Sequence, residues 1–191
     1  VYKRQDIEYF DFILNNQLTM VSESRLISTF LTTKYILENN IPGDLIECGV
    51  WRGGNSIGIK YLLEKYKSDK KLYLFDTFKG MTEPTEFDIS IQDEISAKDQ
   101  YEKSIKTNYN EWCFCPLSEV KENFIKAKLS LENIVFIEGP LEVTLTKEKN
   151  IPEKISLIRL DTDWYESTRI GICLLYTSPS PRDAHESRMP S

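Results

Sequence analysis

Apolar residues recur at helical spacing near the start of the chain. Ile7, Phe10, Ile13 and Leu14 share one side of a helix predicted over about residues 3 to 15. The same period, carried by Leu26, Ile27, Phe30, Leu31, Ile36 and Leu37, predicts a second helix from about Ser22 to Glu38, stopped by Asn39-Asn40-Ile41-Pro42-Gly43. The pattern then shortens. Asp44 to Val50 reads as a short apolar strand, Trp51 to Asn55 as a glycine-bearing turn, and Ser56 to Tyr66 as a helix burying Ile57, Ile59, Tyr61, Leu62 and Leu63. Lys71 to Asp76 is a second strand.

Strand, helix, strand in so few residues is a βαβ unit, which favours parallel pairing and a right-handed crossover. Residues 77 to 116 break this rhythm. They are polar, carry Pro84 and scattered aromatics, and suit a lid or substrate loop. A helix is predicted to start around Pro116-Leu117-Ser118, with Ser118 as its cap and Val120, Phe124 and Ala127 on its apolar side. Asn133 to Glu138 and Ile155 to Asp161 are the third and fourth strands, and a turn and helix begin over Asp163 to Ile172. The expected architecture is one α/β domain, with an incomplete parallel sheet of about four strands and N-terminal helices.

Three clusters could carry chemistry. In the first, Glu47-Cys48-Gly49-Val50-Trp51-Arg52-Gly53-Gly54-Asn55-Ser56, a strand ends in an acidic residue and glycine and turns into a helix. Glycines there let main chain approach a nucleotide-like ligand. The spacing is neither the G-x-G-x-x-G of dinucleotide enzymes nor a phosphate-binding P-loop, which disfavours an NAD-dependent oxidoreductase. In the second, Asp76 closes the second strand, where a carboxylate can accept both ribose hydroxyls of a ligand. In the third, Asp161 and Asp163 stand two apart at the end of the fourth strand, where paired carboxylates suit a hard divalent cation. Capping of the next helix is the competing role, more for Asp163 than for Asp161.

Composition narrows the partners. The chain has 191 residues and a net charge of -6, which argues against general affinity for nucleic acid or anionic lipid. No apolar run is long enough to span a membrane, and the start lacks a signal peptide's apolar core. It also lacks an initiating Met, as a cut edge would. Cys48, Cys113, Cys115 and Cys173 suit free thiols in a reducing cytosol, so a cytoplasmic protein is expected.

At these clusters the chain resembles the macrocin O-methyltransferase family, the TylF/MycF-like sugar O-methyltransferases. The resemblance runs from about Leu18 to Ile172. It rests on Ile41 to Gly54, on Phe75-Asp76-Thr77-Phe78-Lys79-Gly80-Met81, and on Leu160-Asp161-Thr162-Asp163-Trp164-Tyr165-Glu166-Ser167-Thr168. It implies a Rossmann-like class I methyltransferase fold. It also implies S-adenosylmethionine bound along Glu47, Cys48, Gly49, Trp51, Arg52, Gly53, Asn55, Ser56 and Asp76, with Ser118 a further candidate contact. A divalent cation, usually magnesium, would orient a sugar hydroxyl, with Asp161 as catalytic residue and first ligand and Asp163 as second. The family draws its other ligands from an Asp-Asp pair after the next strand, which this chain does not reach. The fragment is therefore expected to be inactive and to fold poorly, with an unpaired apolar edge beside the fourth strand. A homo-oligomer is compatible with this reading. The reading from another class is a catalytically silent module that binds a nucleotide or S-adenosylmethionine and acts through a partner.

From Cys173 the texture changes. Residues 173 to 191 look like the translation of a sequencing-library adapter, expected to be non-native and disordered. This segment holds His185, the only histidine in the chain. A body without histidine cannot build a Ser-His-Asp or Cys-His catalytic group.

Overall fold

The structure, a computed structural model, describes residues 4–89 and 95–177. Four strands form one parallel sheet: β1 (Asp44–Cys48), β2 (Leu72–Asp76), β3 (Ile134–Glu138) and β4 (Ile155–Leu160). Their spatial order is β3-β2-β1-β4. The chain winds outward from β1 through β2 to β3, then crosses back to lay β4 on the other side of β1. The β1–β4 junction is thus a topological switch point, where open α/β sheets form a ligand crevice outside the carboxyl ends of their strands.

Helices cover both faces. On one lie α1 (Arg4–Asn15), α2 (Glu23–Glu38), α3 (Gly54–Lys65) and α5 (Leu117–Lys126), whose Ile13, Leu26, Phe30, Leu62 and Phe124 pack with Leu45, Leu72 and Leu74. On the other, the short α6 (Leu141–Thr144) and Ile170 of α7 (Tyr165–Thr177) pack with Ile46, Cys48, Phe75 and Ile137. Strand residues alternate between the two cores, and helices on both sides make the strands read as apolar runs. Ile7 and Leu31, expected on buried stripes, are half-exposed, because the α1 and α2 faces that dock are centred on Ile13, Leu26 and Phe30.

The excursion between β2 and α5 contains a helix absent from the sequence reading, α4 (Ala97–Ser104). It is polar throughout and buries only Ser104, so it shows no apolar period. Its signal is local: the Ser96 hydroxyl accepts from Asp99 N at 3.1 Å, an N-cap bond. Pro116, not Ser118, occupies the cap position of α5; its carbonyl accepts from the N–H of Glu119 and Val120, and no side chain caps this helix. Proline's fixed φ places the chain for the helix two residues before the serine could act. The last helix, α7, includes Cys173 to Thr177 of the expected tail, and residues 178–191 lie outside the described residues.

Candidate active site

A cavity of about 690 Å3 opens at the carboxyl ends of all four strands. Gly49 to Trp51 line it after β1, Asp76 and Thr77 after β2, Gly139 to Glu142 after β3, and Asp161 to Trp164 after β4. Its size suits a drug-sized ligand. Five carboxylates line it, from Glu47, Asp76, Glu142, Asp161 and Asp163, against the guanidiniums of Arg25 and Arg159. With Glu47 counted as neutral, carboxylates still outnumber guanidiniums by four to two, so the cavity favours a cationic ligand.

Asp76 organises the turn after β1. Its Oδ2 accepts from Val50 N at 2.7 Å and from Trp51 N at 3.0 Å, while Oδ1 accepts from Phe78 N at 2.8 Å. One strand-end carboxylate therefore ties together the turns that follow β1 and β2. Its four lone-pair sites leave room for a further donor from a ligand.

The β1–β4 junction carries a second network. Glu47 and Arg159 face each other in register, and Arg159 Nη1 donates to Glu47 Oε1 at 2.8 Å. Arg159 Nη2 donates to Asp161 Oδ2 at 2.9 Å. The Ser56 hydroxyl, from the first turn of α3, donates to Glu47 Oε2. Burial pushes the Glu47 carboxyl up to about 7 against the opposing pull of Arg159 and Ser56. Asp163 is likewise raised, first by burial and then by the neighbouring charge of Asp161.

Of the residues expected to hold a cofactor, Glu47, Gly49, Trp51, Asn55 and Asp76 line this cavity together with Asp161 and Asp163. The others stand apart from it. Cys48 points into the core on the α6 face. Arg52 turns away, its guanidinium 4.8 Å from the Trp51 ring centroid and its Nε 3.7 Å from Glu119. Gly53 is the left-handed residue before α3, packed near Val120. Ser56 reaches the site only through Glu47, and Ser118 lies within the first turn of α5, outside the lining.

The lining also holds residues the sequence reading did not single out: Thr19 to Ser22, Arg25, Trp112, Cys113, Glu142, Arg159 and Trp164. Arg159 had a signal, as a charge inside the apolar run Ile155 to Leu160 that must find a partner if buried. Trp112 and Trp164 meet edge to face with ring centroids 5.5 Å apart, and Trp164 Nε1 donates to the Thr82 carbonyl at 2.9 Å, which closes one wall. Nothing in the local sequence announces that contact. Cys113 is no ready nucleophile: burial, and then the negative charges of Asp163, Asp76 and Asp161, push its thiol up to about 11.

The residues suit a polar donor molecule. Asn55 Oδ1 is buried at the cavity and has no hydrogen-bond partner among the described residues, an acceptor that a bound ligand would satisfy. They fit a divalent cation less well. Asp161 and Asp163 offer hard oxygens, but one oxygen of Asp161 already accepts from Arg159. Among the described residues no group of three or more His, Cys, Asp or Glu side chains comes together to hold an ion. The described part of the chain does not complete a metal site.

A parallel sheet with this order and a cavity at its switch point define a Rossmann-like fold of the O-methyltransferase type. The O-methyltransferase NovP shares it with a TM-score of 0.67 at 27% identity, over 84% of this chain and 62% of that one. CalS11, a calicheamicin methyltransferase, shares the fold with a TM-score of 0.59 at 17% identity, over 94% of this chain and 76% of that one. The chain belongs to the macrocin O-methyltransferase (TylF) family, whose profile matches residues 12–181. It is 30% identical over 164 residues to the 8-demethyl-8-(2,3-dimethoxy-alpha-L-rhamnosyl)-tetracenomycin-C 4'-O-methyltransferase of Streptomyces olivaceus, covering 85% of this chain and 59% of that protein. It is 29% identical to the demethyldecarbamoylnovobiocin O-methyltransferase of Streptomyces niveus, over 86% of this chain and 59% of the relative. With the mycinamicin III 3''-O-methyltransferase of Micromonospora griseorubida it shares 28% identity, over 85% and 61%. The chain thus spans about three fifths of the length of these curated relatives.

Proposed function

We propose that this protein is an S-adenosylmethionine-dependent O-methyltransferase that acts on a hydroxyl of a sugar or glycosylated metabolite. The observation that carries this reading is the cavity itself: Asp76 and Asp161 both line it, at the switch point, within an excess of negative charge. Family membership supports the reaction class, and the relatives named for rhamnosyl-tetracenomycin, novobiocin and mycinamicin substrates support a glycosylated acceptor.

S-adenosylmethionine supplies a methyl group on a positively charged sulfur, open to in-line attack by an oxygen. The main chain of Gly49 to Trp51 and the side chain of Asn55 hold the donor, and Asp76, with one acceptor site left, takes one of its hydroxyls. Asp163 accepts the proton of the acceptor hydroxyl. It lines this cavity and also a larger one on the far side of the Trp112–Trp164 wall, so it faces both the donor and an entering acceptor. Its raised affinity for protons makes it a stronger base than an ordinary aspartate. The Trp112–Trp164 wall limits water at the reacting atoms, and positioning of this kind is worth up to about 7–11 kcal/mol in favourable cases. Magnesium, if used, would meet Asp161 and Asp163 and make the hydroxyl more acidic. The chemistry assigned to these residues does not depend on it. Free cysteines at all four positions go with a reducing, cytoplasmic setting.

The test is methyl transfer from isotopically labelled S-adenosylmethionine to paired glycosides and their free aglycones. Label on the glycosides alone is the expected result. Label on aglycones alone, or transfer unaffected by Asp163→Asn, contradicts the reading.

A further inference from the structure

Glu47 and Asp161 do not touch, yet one side chain holds both. The Arg159 guanidinium places Nη1 2.8 Å from Glu47 Oε1 and Nη2 2.9 Å from Asp161 Oδ2. Its side chain is 12% exposed and that of Glu47 1%, so the bond to Glu47 is largely shielded from water, whereas Asp161, 40% exposed, holds the other end at the open cavity. All three residues line the cavity. Resting on the methyltransferase reading, we propose that Arg159 is a positioning residue, which fixes Glu47 and Asp161, both on the wall of the donor cavity, relative to each other across the β1–β4 junction.

The chemistry of the group explains why arginine stands there. A guanidinium is flat and rigid, and its nitrogens diverge at fixed angles, so a shift of one carboxylate is passed to the other. Glu47 is anchored on its far oxygen by the Ser56 hydroxyl, and Asp161 by its own N–H, which donates to the Cys48 carbonyl at 2.9 Å. A continuous chain of contacts therefore runs from the first turn of α3 through Glu47 and Arg159 to Asp161. Simple charge neutralisation would need no such fork, because a lysine supplies the same charge as a single point. The need for a fork follows from methyl transfer, where misplacing a reacting group by about 1 Å can cost on the order of a hundredfold in rate.

Two measurements on the full chain test this, with S-adenosylmethionine carrying a 13C methyl group as the probe. In the first, Arg159→Lys keeps the charge and loses the fork. The expected result is a folded protein whose bound methyl resonance moves from its wild-type position and whose donor affinity falls roughly tenfold. The second is a double-mutant cycle of Glu47→Gln and Asp161→Asn, read as donor affinity in the presence of the native Arg159. The two changes are expected to be non-additive by at least about threefold, although the residues do not touch. The cycle decides the matter alone if Arg159→Lys does not fold. An unmoved methyl resonance in a folded Arg159→Lys protein, or additive effects in the cycle, overturns the positioning role and leaves the methyltransferase reading standing. Failure of the wild-type chain to bind the probe overturns both.

Discussion

Gly49 and Asp161 meet main chain to main chain where β1 and β4 end: a Cβ on Gly49 would stand 2.1 Å from the Asp161 carbonyl oxygen. Gly49 also has φ +83, a conformation that side chains disfavour. The glycine is therefore required by the sheet itself, since its approach to β4 is what brings Asp161 to the same cavity as Asp76. Gly49→Ala is expected to lower unfolding stability by about 2 kcal/mol or more, from strain and clash together. A urea melt within 0.5 kcal/mol of wild type would contradict this packing.

The loop after β2 is fastened to the last helix. Asp88 Oδ1 accepts from Tyr165 N, the first residue of α7, at 2.6 Å, and so caps a helix 77 residues away. Burial alone would raise this carboxyl; bonds from the Tyr165 and Thr85 N–H groups and the Thr85 hydroxyl outweigh it and hold it below its usual 3.8. A depressed carboxylate stabilises the fold above its ordinary value and loses that contribution as pH falls below it. Asp88→Ala is expected to cost about 1 kcal/mol at neutral pH, and the difference from wild type should close below about pH 3.8. A gap that stays constant through this range would rule out the capping role.

Glu47 should give the opposite slope. The unfolded chain releases this proton near the ordinary 4.5, whereas the folded chain keeps it to about 7. Between these values the folded state binds more protons, so stability falls as pH rises. The urea midpoint is expected to decline from pH 5 to pH 8 in the wild type, and Glu47→Gln should flatten that part of the decline. Identical slopes in the two proteins would mean that Glu47 is ionised throughout.

The sheet was legible because its strands are short apolar runs broken by glycine, asparagine and proline, and because β1, α3 and β2 follow in one βαβ rhythm. The four helices with strong apolar faces could be read for the same reason. The polar α4 and the one-turn α6 could not, since neither carries a period to detect.

The candidate site was partly legible. Residues at strand ends, such as Glu47, Asp76, Asp161 and Asp163, fall in one cavity because parallel strands direct all their carboxyl ends the same way. Residues read from motif proximity alone fared differently: Cys48 alternates to the opposite face of β1, and Arg52 follows the turn outward to α5. The Trp112–Trp164 wall joins residues more than fifty positions apart, and only tertiary packing reveals it.

Calorimetric titration of S-adenosylmethionine into the full chain, beside Asp76→Ala and with NAD as the competitor ligand, goes to the heart of the matter. One saturable site for the methyl donor is expected, weakened at least roughly tenfold in Asp76→Ala, where the turn loses its anchor and the donor its hydroxyl partner. Absence of donor binding, equal binding by the variant, or a stronger response to NAD would contradict the assignment of this cavity.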